Sequence, residues 1–168
     1  MSSSCHRLAG SGVGRSRANG GMPYMDDSAL AVQMVRLCGA VRVAFSVWWS
    51  RRAESYGAIR RHELACDKKD LWLAEILPHL PAGGPLRILD VGTGAGFFAI
   101  VLAQLGHSVC GVDMSQAMLD EGATLAQQAC CEVTFQRMDA CCLEFESGQF
   151  DAVISRNLTW TLPDAAAA

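Results

Sequence analysis

The chain has 168 residues, of which 51% are hydrophobic, and its 14 basic and 17 acidic residues give a formal net charge of −3. A chain of this length buries roughly two thirds of the surface of its unfolded state, which is enough for one hydrophobic core. The slightly acidic balance argues against a nucleic-acid partner, because nucleic acid is normally bound by a strongly basic face.

Eight cysteines stand in the chain, and four of them form the adjacent pairs Cys130–Cys131 and Cys141–Cys142. The opening residues do not have the pattern of a signal peptide, so we expect free thiols in a cytoplasmic protein rather than a disulfide framework. The adjacent pairs also lack the C-x2-C or C…H spacing of a zinc site. No metal site is therefore predicted.

The first half of the chain divides into a leader and a helical segment. The opening residues are rich in serine, glycine and arginine, which predicts a disordered leader over residues 1–28. Within the helical segment predicted for residues 29–84, the most apolar stretch is Ala29–Trp49. Arg36 and Arg42 interrupt it, and each would be costly at the centre of a bilayer. The stretch therefore predicts an amphipathic or core-docking helix and no membrane partner.

A second helix is predicted from Arg60 to Pro81. Apolar residues recur there at mixed helical spacing, and charged residues supply a solvated face. Pro78 and Pro81 end the helix, and the sequence PAGG after it forms a short linker. Trp72 is expected to pack in the core rather than to recognise a substrate.

After this linker, short apolar runs alternate with helical patterns. Strands are predicted in the sequences LRILDV, SVCGVD, EVTFQRMD and FDAVISRN, and helices in GFFAIVLAQLG and SQAMLDEGATLAQQA. Ser115 is the predicted N-cap of the second of these helices. Strands that alternate with helices predict an α/β fold with a mainly parallel sheet and right-handed crossovers.

Three glycines at alternate positions follow the first of these strands. Gly92, Gly94 and Gly96 lie where the strand turns into the next helix, so backbone N–H groups and the start of the helix can approach a ligand closely. This arrangement predicts a nucleotide-type cofactor site at the carboxyl end of a strand. The alternative is a glycine turn that only allows tight packing.

The spacing of these glycines favours a ribose-containing cofactor without phosphates. In the dinucleotide fingerprint G-x-G-x-x-G the third glycine comes three positions after the second, whereas here it comes two positions after, and Phe97 takes its place. Asp90 precedes the turn, where it could bind a cationic or hydroxyl group but would repel a pyrophosphate. Asp113 ends the second strand, 23 residues beyond Asp90, and is placed to accept hydrogen bonds from ribose hydroxyls.

On these residues, the sequence LDVGTGAGFFA…GVDMS…MDA…FDAVISRNLTWTLPD resembles the class I S-adenosylmethionine-dependent methyltransferases of the small-molecule type, over about residues 87–164. The resemblance implies a Rossmann-like three-layer α/β sandwich with a mainly parallel sheet, preceded by N-terminal helices. It also implies S-adenosylmethionine as the cofactor and methyl transfer to a small molecule. Residues 85–168 would hold an incomplete domain, with about four of the usual seven strands, and we expect its exposed sheet edge to favour self-association.

The same resemblance implies which residues face the methionine moiety and the ribose of the cofactor. Asp90 and the backbone of Gly92 and Gly94 would hold the methionine moiety, and Asp113 would bind the ribose. The turn residues expected at the cofactor are Gly92, Thr93, Gly94 and Gly96.

Further residues are assigned to the cofactor by the resemblance alone. Met114 would lie against the adenine, and Asp139, with the Ala140 backbone, would face the adenine edge. Asn157, just after the fourth strand, would line the methionine side of the site. Tyr56 resembles the aromatic residue that many of these enzymes place over the cofactor from their N-terminal helices.

No catalytic residue is predicted. The cofactor would bring a methyl group already activated on a sulfonium, so the protein has mainly to align an acceptor atom with it. The need for a general base depends on the pKa of an acceptor that the sequence does not reveal. Two alternatives to an active methyltransferase remain: a non-catalytic cofactor-binding or partner-dependent fragment, and a nicotinamide-dependent oxidoreductase, which the glycine spacing disfavours.

Overall fold

A computed structural model describes residues 40–158 of the chain, with side chains from residue 43 onward. The predicted leader and the first part of the Ala29–Trp49 stretch lie outside the described residues. The helices are α1 (Ala40–Ser50), α2 (Ala53–Ala65), α3 (Lys68–Ile76), α4 (Phe97–Gln104) and α5 (Gln116–Gln128), and a short 3-10 helix (Leu77–His79) follows α3. The strands are β1 (Arg87–Val91), β2 (Ser108–Asp113), β3 (Thr134–Arg137) and β4 (Ala152–Ser155). Within this described part, none of the helices has the length and apolar character needed to span a bilayer.

The four strands form one parallel sheet in the order β3-β2-β1-β4. In its register, Leu89 of β1 lies opposite Cys110 of β2 and Val153 of β4. The chain runs outward from β1 through β2 to β3 and then crosses to β4 on the other side of β1. The strand order therefore reverses beside β1, and in open α/β sheets ligands bind at the carboxyl ends of the strands at such a switch point. The predicted Rossmann-like α/β fold is confirmed.

The core forms around β1 and α4. Ile88 and Leu102 have no solvent exposure, and α4 is buried along most of its length, as its continuous apolar sequence predicts. Trp72 of α3 packs edge-to-face on Phe98 of α4, with 5.4 Å between the ring centroids. The partly buried residues that α2 and α3 contribute to this core are Leu64, Trp72, Leu73 and Ile76. The helices before the linker therefore share a core with the sheet.

The prediction of one helix from Arg60 to Pro81 is wrong in its extent. The structure has two helices there, α2 and α3, separated by an extended Cys66 (φ −121°, ψ 173°). In one straight helix, Leu71 would share the buried face of Leu64, seven residues earlier. Leu71 is instead 71% exposed, while its neighbour Trp72 packs on the core. The break at Cys66 thus changes which residues face inward.

Helix α5 begins as the sequence predicts, at the N-cap Ser115. The Ser115 hydroxyl accepts a hydrogen bond from the Met118 N–H at 3.3 Å. It is also hydrogen-bonded at 2.9 Å to the hydroxyl of Ser50, and the Ser46 hydroxyl donates to the Met114 carbonyl at 3.3 Å. These bonds fasten α1 to the loop that follows β2.

Candidate cofactor site

The turn between β1 and α4 is fixed to the neighbouring strand β2 by backbone hydrogen bonds. The N–H groups of Gly92 and Thr93 both donate to the carbonyl of Val112 at 2.9 Å. Gly92 and Gly94 have φ angles of 71° and 54°, in the left-handed region that favours glycine. The turn is therefore held at the carboxyl end of the sheet, where the Leu158 side chain packs on Gly92 and the Tyr56 ring lies beside Gly94.

Asp113, at the end of β2, lies directly beside this turn. Its Oδ2 accepts a hydrogen bond from the Gly94 N–H at 3.0 Å, and its Oδ1 accepts one from the Ser115 N–H at 2.9 Å. Burial raises the pKa of the Asp113 carboxyl, while hydrogen bonds from the backbone of Ser115, Gly94 and Met114 act in the opposite direction. Backbone donors thus orient the carboxylate, whose remaining lone pairs can accept hydrogen bonds from a ligand.

Asp90 places a second carboxyl group beside the turn. It is only 2% exposed, and burial raises its pKa to about 6, although hydrogen bonds from the Thr93 hydroxyl and the Ala99 backbone lower it. The nearby Asp113 carboxylate raises it a little further. The Thr93 hydroxyl donates to Asp90 Oδ2 at 2.6 Å. Because Ala99 lies in the first turn of α4, the Asp90 carboxylate also satisfies a backbone N–H at the positive end of that helix.

A cavity adjoins the glycine turn, and we call it the turn cavity. Side chains of α1 and α2 line it together with the carboxyl ends of the strands, and Trp49 and Arg60 are among them. The predicted site residues that line it are Tyr56, Asp90, Gly92, Thr93, Gly94, Asp113 and Asn157. The fold therefore brings together seven of the eleven residues that the sequence assigned to the cofactor.

Tyr56 reaches the turn cavity from α2. Its ring packs edge-to-face on Trp49, with 5.5 Å between the centroids, and the guanidinium of Arg60 lies 4.5 Å from the centroid of the Tyr56 ring. A Cβ atom on Gly94 would come within 3.7 Å of this ring. Tyr56 thus faces the glycine turn, although its contact with a cofactor stays a prediction.

Met114 and Asp139 line a different cavity, which we call the α1 cavity because Ser46 and Val47 of α1 are part of its wall. The Nε of Arg137 donates to the Met114 carbonyl at 3.2 Å. Asp139 Oδ1 accepts a hydrogen bond from the backbone N–H of Cys141 at 2.9 Å, which stabilises the loop after β3. Asp113 lines the turn cavity and Met114, the next residue, lines the α1 cavity, so both cavities adjoin the tip of β2.

Two of the predicted residues lie in packed positions. Gly96 is the N-cap of α4 with a φ of 78°, and a Cβ atom added there would come within 2.8 Å of the Phe135 ring. Ala140 packs against the apolar cluster formed by β1 and β2, which includes Val91 and Val112. Neither residue is among those that line the turn cavity or the α1 cavity.

The sequence analysis did not single out Trp49, Arg60 or Arg156, which also line the turn cavity. A signal was present for Arg60, because it stands four residues after Tyr56 and so shares one face of a helix with it. Arg156 follows directly on β4, at the edge of the sheet where ligands bind in α/β folds. Trp49 had no such signal, because its position depends on how α1 packs.

Three features together define a class of protein. The parallel sheet reverses its strand order at β1, a glycine turn leads into α4, and an acidic residue at the tip of β2 is hydrogen-bonded to that turn. This class comprises the Rossmann-like α/β domains that bind a ribose-containing cofactor at the carboxyl end of the sheet. The shift of the third glycine separates this turn from the dinucleotide-binding members.

Comparison with known proteins identifies the family. The family model described as "Methyltransferase domain" matches residues 88–168, and this part of the chain belongs to the class I S-adenosylmethionine-dependent methyltransferases. The predicted family, with S-adenosylmethionine as its cofactor, is thereby confirmed.

Curated relatives agree with this assignment. The chain is 34% identical over 78 residues to a ubiquinone biosynthesis O-methyltransferase of Coxiella burnetii, a match that covers 46% of this chain and 33% of the relative. It is 32% identical over 126 residues to a ubiquinone biosynthesis O-methyltransferase of Alkalilimnicola ehrlichii, covering 74% of this chain and 48% of the relative. The chain thus spans between about a third and about half of the length of these relatives.

A solved structure extends the likeness to the helices before the linker. Phosphoethanolamine N-methyltransferase 1 of Haemonchus contortus, in complex with phosphoethanolamine and S-adenosylhomocysteine, matches with a TM-score of 0.56 at 21% identity. The match covers 74% of this chain and 27% of that chain. At this identity the match supports the fold alone. A share of 74% is larger than residues 85–168 could provide, so the shared fold includes part of the N-terminal helices.

Proposed function

We propose that this chain binds S-adenosylmethionine beside the glycine turn and transfers its methyl group to a small-molecule acceptor. The observation that carries the proposal is the hydrogen bond from the Gly94 N–H to Asp113 Oδ2. It joins the glycine turn and the acidic residue at the tip of β2 into one site, which is the arrangement needed to hold a ribose beside such a turn.

The charges and positions of the lining residues support an orientation for the cofactor. The ribose hydroxyls would donate to Asp113, whose carboxylate the backbone already orients. The amino group of the methionine moiety would lie near Asp90, because an ionised carboxylate in a buried site favours a cationic partner. The adenine would extend past Asp113 into the α1 cavity, toward Met114 and Asp139. Tyr56 would cover the methionine side.

The residues of this chain would act mainly by positioning the acceptor. When bound, S-adenosylmethionine supplies a methyl group that is already activated on a sulfonium. Holding an acceptor atom in line with that methyl group can contribute on the order of 7–11 kcal/mol through proximity and orientation. The side chains of Trp49 and Tyr56 would exclude water from this end of the turn cavity. The names of both curated relatives support an oxygen atom as the acceptor.

Isothermal titration with S-adenosylhomocysteine tests the proposal. The wild-type chain should bind it, and Asp113→Asn should weaken binding about tenfold or more, since the charged acceptor of the ribose hydrogen bonds is lost. Asp151→Asn is the matched control, because Asp151 is an exposed residue that binds Arg87 at the start of β1, at the opposite end of that strand from the turn.

Other outcomes of this experiment separate the alternatives. A folded wild-type chain that does not bind S-adenosylhomocysteine would contradict the proposal. Competition by NAD⁺ would favour an oxidoreductase. Binding without transfer of a radioactive methyl group to any phenolic acceptor tested would favour a non-catalytic cofactor-binding role.

A further inference from the structure

Three cationic side chains converge on the single carboxylate of Glu63, which is 8% exposed. Arg60 donates a hydrogen bond to Glu63 Oε2, Arg156 Nη2 lies 3.6 Å from the same oxygen, and Lys68 Nζ lies 3.6 Å from Glu63 Oε1. Two of these cations, Arg60 and Arg156, are largely buried. Positive charge therefore exceeds negative charge in this cluster, which we call the Glu63 cluster.

Arg60 has a hydrogen-bond donor that the described residues leave unpaired. The residue is 8% exposed, and its Nε is buried without a hydrogen-bond partner among the residues that the structure describes. Buried donors on charged groups are normally paired, because leaving one unpaired is costly. The guanidinium of arginine is well suited to bind the oxygens of a carboxylate.

Arg156 is held in place by aromatic rings. Its guanidinium carbon lies 5.2 Å from the ring centroid of Trp72, 4.9 Å from that of Phe97 and 5.0 Å from that of Phe98. These contacts are within the range of cation–π interactions. A guanidinium fixed in this way loses little conformational entropy when an anion binds to it.

The Glu63 cluster lies where two cavities meet. Arg60, Arg156 and Asn157 line the turn cavity and also a neighbouring cavity, which we call the outer cavity. The rest of the outer cavity wall is made by Glu63, Lys68, Leu71, Trp72 and Glu75, and it includes neither the glycine turn nor the two aspartates of the cofactor site. The two arginines thus stand between the proposed cofactor and a second opening with an apolar side.

We propose that Arg60 and Arg156 bind the carboxylate of the methyl acceptor, and that the acceptor is an apolar or aromatic acid that enters through the outer cavity. The outer cavity is lined by three cations and two carboxylates, so one further carboxylate makes its charges equal. Leu71 and Trp72 supply an apolar surface for the body of the acid. This inference rests on the proposed function, because it places the acceptor beside the methionine end of the cofactor.

Titration with benzoate and benzamide tests this assignment, because the two probes have similar shape and differ in charge. Each is titrated into the full chain with and without S-adenosylhomocysteine. Wild-type protein should bind benzoate at least tenfold more tightly than benzamide, and Arg60→Gln and Arg156→Gln should abolish this preference. Arg61→Gln should preserve it, since Arg61 is exposed on the same helix and binds Glu121 and Gln128.

Three further measurements test whether misfolding of a variant or an effect on cofactor binding explains the result. If Arg60→Gln does not fold, Arg60→Lys retains a charge for Glu63 but removes the Nε donor, and it should reduce the preference for benzoate at least threefold. S-adenosylhomocysteine should bind to both arginine variants within threefold of wild type. Binding of 5′-methylthioadenosine, which lacks the amino-acid carboxylate, is measured in parallel.

The results separate this inference from the proposed function. Equal binding of benzoate and benzamide to wild-type protein would overturn the inference, with or without the cofactor product present. A selective loss of S-adenosylhomocysteine binding in the variants, with 5′-methylthioadenosine unaffected, would also overturn it, because the arginines would then bind the cofactor's own carboxylate. Failure of wild-type protein to bind S-adenosylhomocysteine counts against the proposed function, while the titrations without it still test the arginine pair.

Discussion

The buried carboxyl group of Asp90 suits the proposed cofactor site but lowers the stability of the fold when it is ionised. The group is almost fully buried, and burial raises its pKa to about 6 from the ordinary value near 3.8. The hydrogen bonds from Thr93 and Ala99 recover only part of the cost of burying the charge. Such a cost is typical of functional sites, where a group is retained for binding rather than for stability.

The stability of the chain should therefore depend on pH through Asp90. A carboxyl group whose pKa is higher in the folded than in the unfolded chain binds its proton more tightly when folded, so its contribution is full below about pH 4 and is lost as pH rises through about 6. The difference between the pKa values of the folded and unfolded chain corresponds to about 3 kcal/mol of unfolding free energy. Asp90→Asn should remove this fall, as measured by urea unfolding between pH 4 and pH 8.

The exposed residue Asp151 provides a control, because its effect on stability changes with pH in the opposite direction. The hydrogen bond from Arg87 lowers the pKa of Asp151, so this residue's contribution to stability is lost as pH falls rather than as it rises. Asp151→Asn should leave the fall attributed to Asp90 in place, and it should remove the acid-side effect when the profiles are extended below about pH 4. Parallel pH profiles for Asp90→Asn and wild type would contradict the assignment.

The glycines of the turn between β1 and α4 have different surroundings, although a Cβ atom on Gly92 would come within 2.8 Å of the Leu158 side chain. Gly92 and Gly94 line the turn cavity, whereas Gly96 lies under the ring of Phe135 from β3. A Cβ atom on Gly122 of α5 would also come within 3.0 Å of that ring. One aromatic side chain of the sheet thus requires glycine both at the start of α4 and within α5.

Gly96→Ala should destabilise the chain more than Gly106→Ala. Both glycines have positive φ, 78° and 90°, so each substitution costs about 1–2 kcal/mol in backbone strain. Only Gly96→Ala also forces a Cβ atom against Phe135, which should add about 1–3 kcal/mol, because nothing lies within 4 Å of the position at Gly106. Urea unfolding of the two variants measures the difference.

A double variant identifies the contact responsible. Phe135→Leu should recover part of the loss in a Gly96→Ala background, since the smaller side chain leaves room for the added methyl group. Equal losses for Gly96→Ala and Gly106→Ala would show that backbone conformation alone explains the need for glycine at both positions.

The molecule as a whole is built so that helices from before the linker complete a core that begins in the sheet. Trp72 packs on Phe98, and the hydroxyls of Ser46 and Ser50 tie α1 to the end of β2. The turn cavity is lined from both sides, by Trp49 and Tyr56 from the helices and by the glycine turn from the sheet. Folding and formation of the cofactor site should therefore be coupled.

A chain restricted to residues 85–168 should not unfold cooperatively. Without α2 and α3, the apolar surface around β1 and α4 is exposed to water, because Leu64, Trp72 and Ile76 no longer cover it. We expect weak near-ultraviolet circular dichroism and no sharp thermal transition, in contrast to the full chain. Adding residues 40–84 as a separate chain should restore part of the signal. A sharp transition at the melting temperature of the full chain would contradict this coupling.

The sequence by itself determined the order of strands and helices after residue 85, the glycine turn, and the placing of Asp113 at the tip of the second strand. These features depend on local periodicity and turn chemistry, which neighbouring residues express without help from the rest of the fold. Only the tertiary structure decided that Gly96 packs on Phe135 and that two helices stand where one was predicted. It also decided that Arg60 and Arg156 meet at Glu63. These outcomes depend on contacts between residues far apart in the chain, which no local pattern specifies.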